Sequence, residues 1–133
     1  MRQPMSLACD ATLAPAELPA ELAGIDLALG LELVSGKQAL YLSLLRKFVT
    51  AHRETAAAVR RALAVADRET AELLVHNVKG VAGCLGATVL MGCAAALEGA
   101  LRTADGELAG PLADFEAALA EVMADLESKL PAA

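Results

Sequence analysis

The chain has 133 residues, 56% of them hydrophobic and 2% aromatic, with no Trp and a formal net charge of −6. That length holds one domain with a single core, and a core so poor in aromatics must be built from the small and medium aliphatics that let helices pack closely. The acidic balance, without clustered Lys and Arg among stacking aromatics, excludes a nucleic-acid binder; no apolar run reaches the roughly 18 residues of a membrane span and no signal-peptide pattern opens the chain, so a cytoplasmic protein that binds neither nucleic acid nor membrane is expected.

Residues 1–23 mix Pro4, Pro15 and Pro19 with Ala, Glu and Leu and are read as a flexible tail or linker, leaving 24–133 as the folded domain. Residues 25–34 alternate in large apolar side chains, as a strand would. No second convincing strand exists to pair with them, however, and Asp26 is a plausible N-cap, so a short helix is expected. Ser35-Gly36-Lys37-Gln38 has the form of a capping box, and Leu40, Leu44, Phe48, Thr55, Val59, Leu63 and Ala66 follow at helical spacings, which predicts one long helix over 37–66. Asp67 caps a second over 68–84, closed by Gly86 in the C-terminal glycine manner. A third opens at Ala87 or Thr88, carries Leu90, Ala94, Leu97 and Leu101 on its inner stripe, and ends at the turn dipeptide Asp105-Gly106. The last, over 108–130, carries Leu112, Phe115, Leu119, Val122, Leu126 and Leu130; it tolerates Pro111 in its first turn and stops at Pro131. Short connections between amphipathic helices predict an all-α fold, an antiparallel up-down four-helix bundle, with the short N-terminal helix burying Ile25, Leu27 and Leu31 across one end.

Within the second of these helices, His76 stands out. At about 100° per residue, Ala71, Leu74, Val78, Val81, Ala82 and Leu85 share one arc, and His76 falls nearly opposite its centre. Leu73, Gly80 and Gly83 flank it on the outward face, with Glu72 and Lys79 at one side. A solvated face would normally carry long charged chains there, so the cleared surface invites a macromolecular partner. Each interior Gly costs about 1 kcal/mol relative to Ala. Either a partner approaches closely at Gly80 and Gly83, or these glycines fit a tight helix crossing.

Imidazole is in good part neutral at pH 7 and offers a nucleophilic nitrogen that can attack phosphorus. Phosphoryl transfer needs positioning and stabilisation of charge on the phosphoryl oxygens; Lys79, three residues on, can supply that charge, or it can pair with Glu72 or solvate the face. There is no phosphate-binding loop, no glycine-rich nucleotide fold and no acidic cluster spaced for Mg²⁺. Asn77, directly after His76, cannot serve as a carboxylate base. The chain is therefore expected not to be an enzyme: it neither phosphorylates itself from ATP nor hydrolyses its phosphate efficiently. Cys9, Cys84 and Cys93 are odd in number and lack paired spacing, which argues against a disulfide framework or a structural metal; Cys84 and Cys93 are read as small packing residues. His52 reads as a solvated helix residue. Arg60 and Arg61, and Glu116, Glu121 and Glu127, read as solubilising.

The run His76-x-x-Lys79-Gly80, then Leu85-Gly86-Ala87, then Leu97-Glu98 resembles the histidine-containing phosphotransfer (HPt) domain of bacterial multistep phosphorelays. The resemblance spans about residues 24–130, including Gly24-Ile25-Asp26 and Gly30-Leu31. It implies that His76 accepts a phosphoryl group, through Nε2, from a receiver-domain aspartate and passes it to the aspartate of another receiver, in response regulators or hybrid kinases. It also implies that Mg²⁺ belongs to the receiver, with no metal or other cofactor on this chain. Lys79 would favour the phosphorylated state, Gly80 would leave room for the receiver, and Leu73 with the neighbouring face would dock it through a modest interface. Glu98 matches a position from which a polar side chain orients the imidazole, although a solvated Glu accounts for it equally well. Val75 and Asn77 depart from the small and hydroxyl residues often found beside the histidine, which bears on partner preference. A monomer is expected. The alternative is a non-phosphorylated helical adaptor that binds a receiver or kinase domain through the same face. The phosphoacceptor domain of a sensor kinase would need an acidic residue directly after the histidine and a nearby Pro, and a metal-binding bundle would need an inward ligand cluster, whereas Glu72 faces outward.

Overall fold

A computed structural model describes residues 18–103 and 107–130, and among these the chain is all-helical, with one isolated bridge between Leu22 and Ile25. In chain order the helices are α1 (Leu27–Leu33), α2 (Gln38–His52), α3 (Thr55–Ala64), α4 (Arg68–Leu85), α5 (Thr88–Arg102) and α6 (Ala109–Lys129). Helix α4 is central: it packs on α5, α3, α1 and α2, while α6 packs on α5 and α2. Tyr41, Leu45, Phe48, Val59, Val75, Val78, Leu85, Leu90, Leu97, Phe115 and Leu126 fill the space between them. Burial of this apolar set, at about 25 cal/mol per Å², is what holds such short helices together.

The predicted single helix over 37–66 is two helices, broken at Arg53 and Glu54. The reason is local. His52 Nδ1 and Thr55 Oγ1 lie 3.0 Å apart across the break, a side-chain bond that competes with continuation of the helix. Arg53 keeps helical angles (φ −56°, ψ −36°), so the apolar spacing passes through almost undisturbed and periodicity alone does not see the break. The capping box at Ser35 does not form either: Ser35 and Gly36 adopt positive φ (57° and 76°), and Lys37 precedes α2 without a side-chain cap. Those residues instead close α1, where Gly36 N donates to Leu31 O (2.7 Å).

Residues 18–23 are not a loose tail. Leu22 is buried in the core, Leu18 packs against it, and Ala23 N donates to Asp125 Oδ2 on α6 (2.7 Å). The rest of the expected tail, residues 1–17, lies outside the described residues, as do Asp105-Gly106 and Pro131. Helix α1 starts as expected, with Asp26 accepting from Leu29 N (3.1 Å), and lies over the C-terminus of α4, where Asp26 N donates to Gly86 O (2.8 Å) and Tyr41 Oη to Leu85 O (2.6 Å). At the other end, Arg68 donates to the carbonyls of Ala100, Leu101 and Thr103 (3.1–3.2 Å), satisfying the orphan C-terminal acceptors of α5. Both ends of α4 are thereby tied to their neighbours, which fixes its register against α5.

Candidate functional site

The buried stripe of α4 is Ala71, Val75, Val78, Ala82 and Leu85, with Leu74 and Val81 only half-buried. It is rotated from the predicted arc, and Val75 is a core residue. The valines on either side of His76 anchor the helix so that the imidazole emerges beside α5, its side chain 56% exposed. The outer face carries Leu73, His76, Asn77, Gly80 and Cys84 in one exposed stripe.

Opposite His76 stands Glu98, in a register of α5 where Leu97 and Leu101 enter the core. Its side chain is 3% exposed, so the reading as a solvated glutamate does not hold. Glu98 Oε1 accepts from Lys79 Nζ (2.6 Å), and Oε2 accepts from both His76 Nδ1 (2.8 Å) and Arg102 Nη2 (2.9 Å). A buried carboxylate is costly unless its lone pairs are filled by charged donors. Here the hydrogen bond from Lys79 leads in holding the carboxyl below its ordinary value of 4.5; His76 and Arg102 add to it, against the opposing effect of burial. The stability this network contributes is fully present above that ordinary value and is lost as pH falls through the lowered one.

An ionised carboxylate only accepts, so Nδ1 of His76 carries a proton toward Glu98, and Nε2 is the ring nitrogen not committed to that carboxylate. The alternative pairing of Lys79 with Glu72 is not made; Glu72 takes Arg102 Nε instead (2.6 Å). Arg102 is the member of the His76 network that sequence reasoning passed over. Its only signal was its place four residues after Glu98 on the same helix face.

The two glycines part company. A Cβ at Gly80 would meet nothing within 4 Å, whereas one at Gly83 would lie 3.1 Å from Met91 Sδ on α5. Gly80 clears the surface at His76; Gly83 serves the α4–α5 crossing. Leu73 is 59% exposed, on the same stripe as His76. Along the α2 side runs a groove of about 510 Å³, floored by Leu44, Phe48, Ala51 and Val81, with Lys47, His52, His76, Gly80 and Cys84 also lining it. Cys84 is exposed there and does not pack in the core, while Cys93 is partly covered. His52 is half-buried, its ring 5.0 Å from that of Phe48, and burial lowers its pKa. Of the charges read as solubilising, Arg60 pairs with Glu116, and Glu127 with Arg53 from the α2–α3 break.

The model of the Hpt domain family matches residues 43–129, well over half of the chain and inclusive of every residue of the His76 network. The chain belongs to the Hpt domain family. Searches of curated proteins and of solved structures gave no match. Hpt domains are phosphocarrier modules of two-component phosphorelays, which carry out histidine phosphotransfer and interact with receiver domains. The match begins inside α2, so α1 and its lock on α4 lie outside it. Among the described residues no helix is long and apolar enough to cross a membrane.

Proposed function

We propose that this Hpt domain accepts a phosphoryl group on Nε2 of His76 from the aspartyl phosphate of a receiver domain and passes it to the aspartate of another. The observation that carries this reading is the Glu98–His76 bond, which commits Nδ1 and leaves Nε2 free on a surface that Gly80 opens. In the inward step the Nε2 lone pair forms the N–P bond as the P–O bond to the aspartate breaks; the aspartate leaves as a carboxylate, and the Nδ1 proton stays between the ring and Glu98. The positive charge that develops on the ring faces a fixed negative one, a preorganised electrostatic arrangement. Lys79, a turn away, supplies a cation for the phosphoryl oxygens. Mg²⁺ is assigned to the receiver, and the carboxylate nearest His76 is committed to three donors. The packing of α2 with its continuation α3, α4, α5 and α6 supports an antiparallel up-down four-helix bundle; a cytoplasmic monomer is part of the same proposal.

Incubation with phosphorylated receivers should transfer label to this chain as an acid-labile, alkali-stable phosphoramidate. Receiver binding with no transferred label would favour the adaptor reading. Lys79→Ala should cut steady-state phosphorylation about tenfold, in line with the ~1.5 kcal/mol of a charge-assisted hydrogen bond, with the circular dichroism unchanged; undiminished label would remove Lys79 from the site. Gly80→Glu should fill the cleared surface and bring a like charge to the incoming phosphoryl group. Receiver-dependent labelling is expected to fall at least about tenfold, since like-charge juxtaposition costs several kcal/mol, and a labelling rate equal to wild type would show that the receiver approaches elsewhere.

A further inference from the structure

Orienting the imidazole requires only an acceptor for Nδ1–H, which a neutral amide would provide. Glu98 is instead a buried carboxylate, whose charge Lys79 and Arg102 hold in place against the ring. Two carboxylates, Glu72 and Glu98, and two permanent cations, Lys79 and Arg102, form the surrounding network, so it is balanced while the ring is neutral. Any charge the ring acquires is felt first by Glu98, at 2.8 Å from Nδ1.

We propose that Glu98 keeps the phosphorylated His76 ring in its imidazolium form, so that the ring leaves as neutral imidazole when the phosphoryl group moves on. This rests on His76 being the phosphoacceptor. In the outward step the acceptor oxygen forms its bond to phosphorus, the P–Nε2 bond breaks, and its electron pair returns to Nε2; the proton remains on Nδ1, facing Glu98. Without that proton the ring would have to leave as imidazolate, a far stronger base and a much poorer leaving group. Of the groups around it, Lys79 on α4, Arg102 on α5, and Lys47 and His52 across the groove on α2 either oppose the extra proton or are neutral. Glu72 is turned onto Arg102. Glu98 is the group in direct contact that favours the proton, and Arg102, bound to the same Oε2 atom, weakens its hold. Glu98 is thus a positioning residue whose charge, beyond its shape, sets how readily the carrier gives up its cargo.

The test needs no partner. The full chain is phosphorylated with potassium phosphoramidate, and loss of the phosphohistidine signal to water is followed by ³¹P NMR across the neutral and alkaline range. Glu98→Gln keeps an acceptor for Nδ1–H and removes the charge. Its rate of loss is expected to begin falling about one pH unit below wild type, the low end of what an opposite charge in contact does, leaving it about tenfold slower on the alkaline side. Arg102→Gln, which frees Oε2 of its competing cation, is expected to move the break the other way. A Glu98→Gln profile that superimposes on wild type, or lies below it uniformly at all pH, overturns the proposal, as does an Arg102→Gln break that stays put or moves downward. If Glu98→Gln does not fold by circular dichroism, the direction of the Arg102→Gln shift decides. If no phosphohistidine forms in wild type, it is the assignment of His76 that fails.

Discussion

His76→Gln is expected to abolish phosphoryl acceptance, a loss of more than about a hundredfold, while the protein stays folded. A carboxamide has no nucleophilic nitrogen, and none of the side chains joined to His76 can replace it: Glu98 is buried and already accepts from three donors, Lys79 is tied to Glu98, and Asn77 is itself an amide. The fold should tolerate the change because the side chain is 56% exposed and Glu98 retains Lys79 and Arg102 when the ring is gone. Substitutions at such sites usually cost about 0.5 kcal/mol or less, with up to about 1 kcal/mol more for the lost hydrogen bond. The measurement is label transfer from a phosphorylated receiver, with His52→Gln in parallel. His52 lines the same groove, but its Nδ1 is bound to Thr55 and its ring is half-buried against Phe48, so this variant should label like wild type. A His76→Gln protein labelled as strongly as wild type would move the acceptor elsewhere, and loss in His52→Gln would name the place.

Much of this arrangement was legible in the sequence wherever one local rule decided it. Asp26, Asp67 and Gly86 each sit at a helix end with the cap chemistry their residue type favours, and the apolar spacings of α5 and α6 match their buried stripes. The failures came where two local rules competed or where the answer lay on another helix. Ser35 satisfies a capping pattern, yet the end of α1 claims it first. His52 and Thr55 interrupt a helix without disturbing its apolar period. The outward direction of His76 could be read from periodicity alone. Whether Glu98 was solvated or buried could not, because that depends on how α5 rotates against α4, and an isolated Glu at a stripe edge is compatible with both. Gly80 and Gly83 look equivalent in sequence for the same reason; only the position of Met91 separates them. Arg102 carries no motif at all, and its role exists only once Glu98 is known to be buried.

Gly86→Ala is expected to lower stability by about 3 kcal/mol, combining the 1–2 kcal/mol of a left-handed non-glycine residue with the 1–3 kcal/mol of overpacking. Gly86 has φ +82°, and an added Cβ would run into the backbone carbonyl of Asp26 where α1 crosses the end of α4. Nothing there can yield cheaply. Gly30 faces the same junction, where a Cβ would lie 2.6 Å from the Leu85 carbonyl oxygen, and the Tyr41 hydroxyl bonded to that oxygen is buried enough that its pKa is pushed up to about 12, with Asp26 adding to the effect. At roughly 3–4 °C per kcal/mol for a chain of this size, the melting temperature should fall by about 10 °C. Gly80→Ala, on the same helix but in open space, should instead gain up to about 1 kcal/mol from helix propensity. Thermal melts of the two variants side by side therefore predict shifts of opposite sign, and a Gly86→Ala melt within about 2 °C of wild type, on the same scale, would show that the α1–α4 junction relaxes freely. Transfer per folded molecule should be unchanged in Gly86→Ala, because the direction of His76 is set by Val75 and Val78 in the core and by Glu98, not by the junction more than two turns away. The lock and the proposed phosphoacceptor share one helix but draw on different neighbours, so stability at the end of α4 can be lost while the chemistry proposed at its middle is kept.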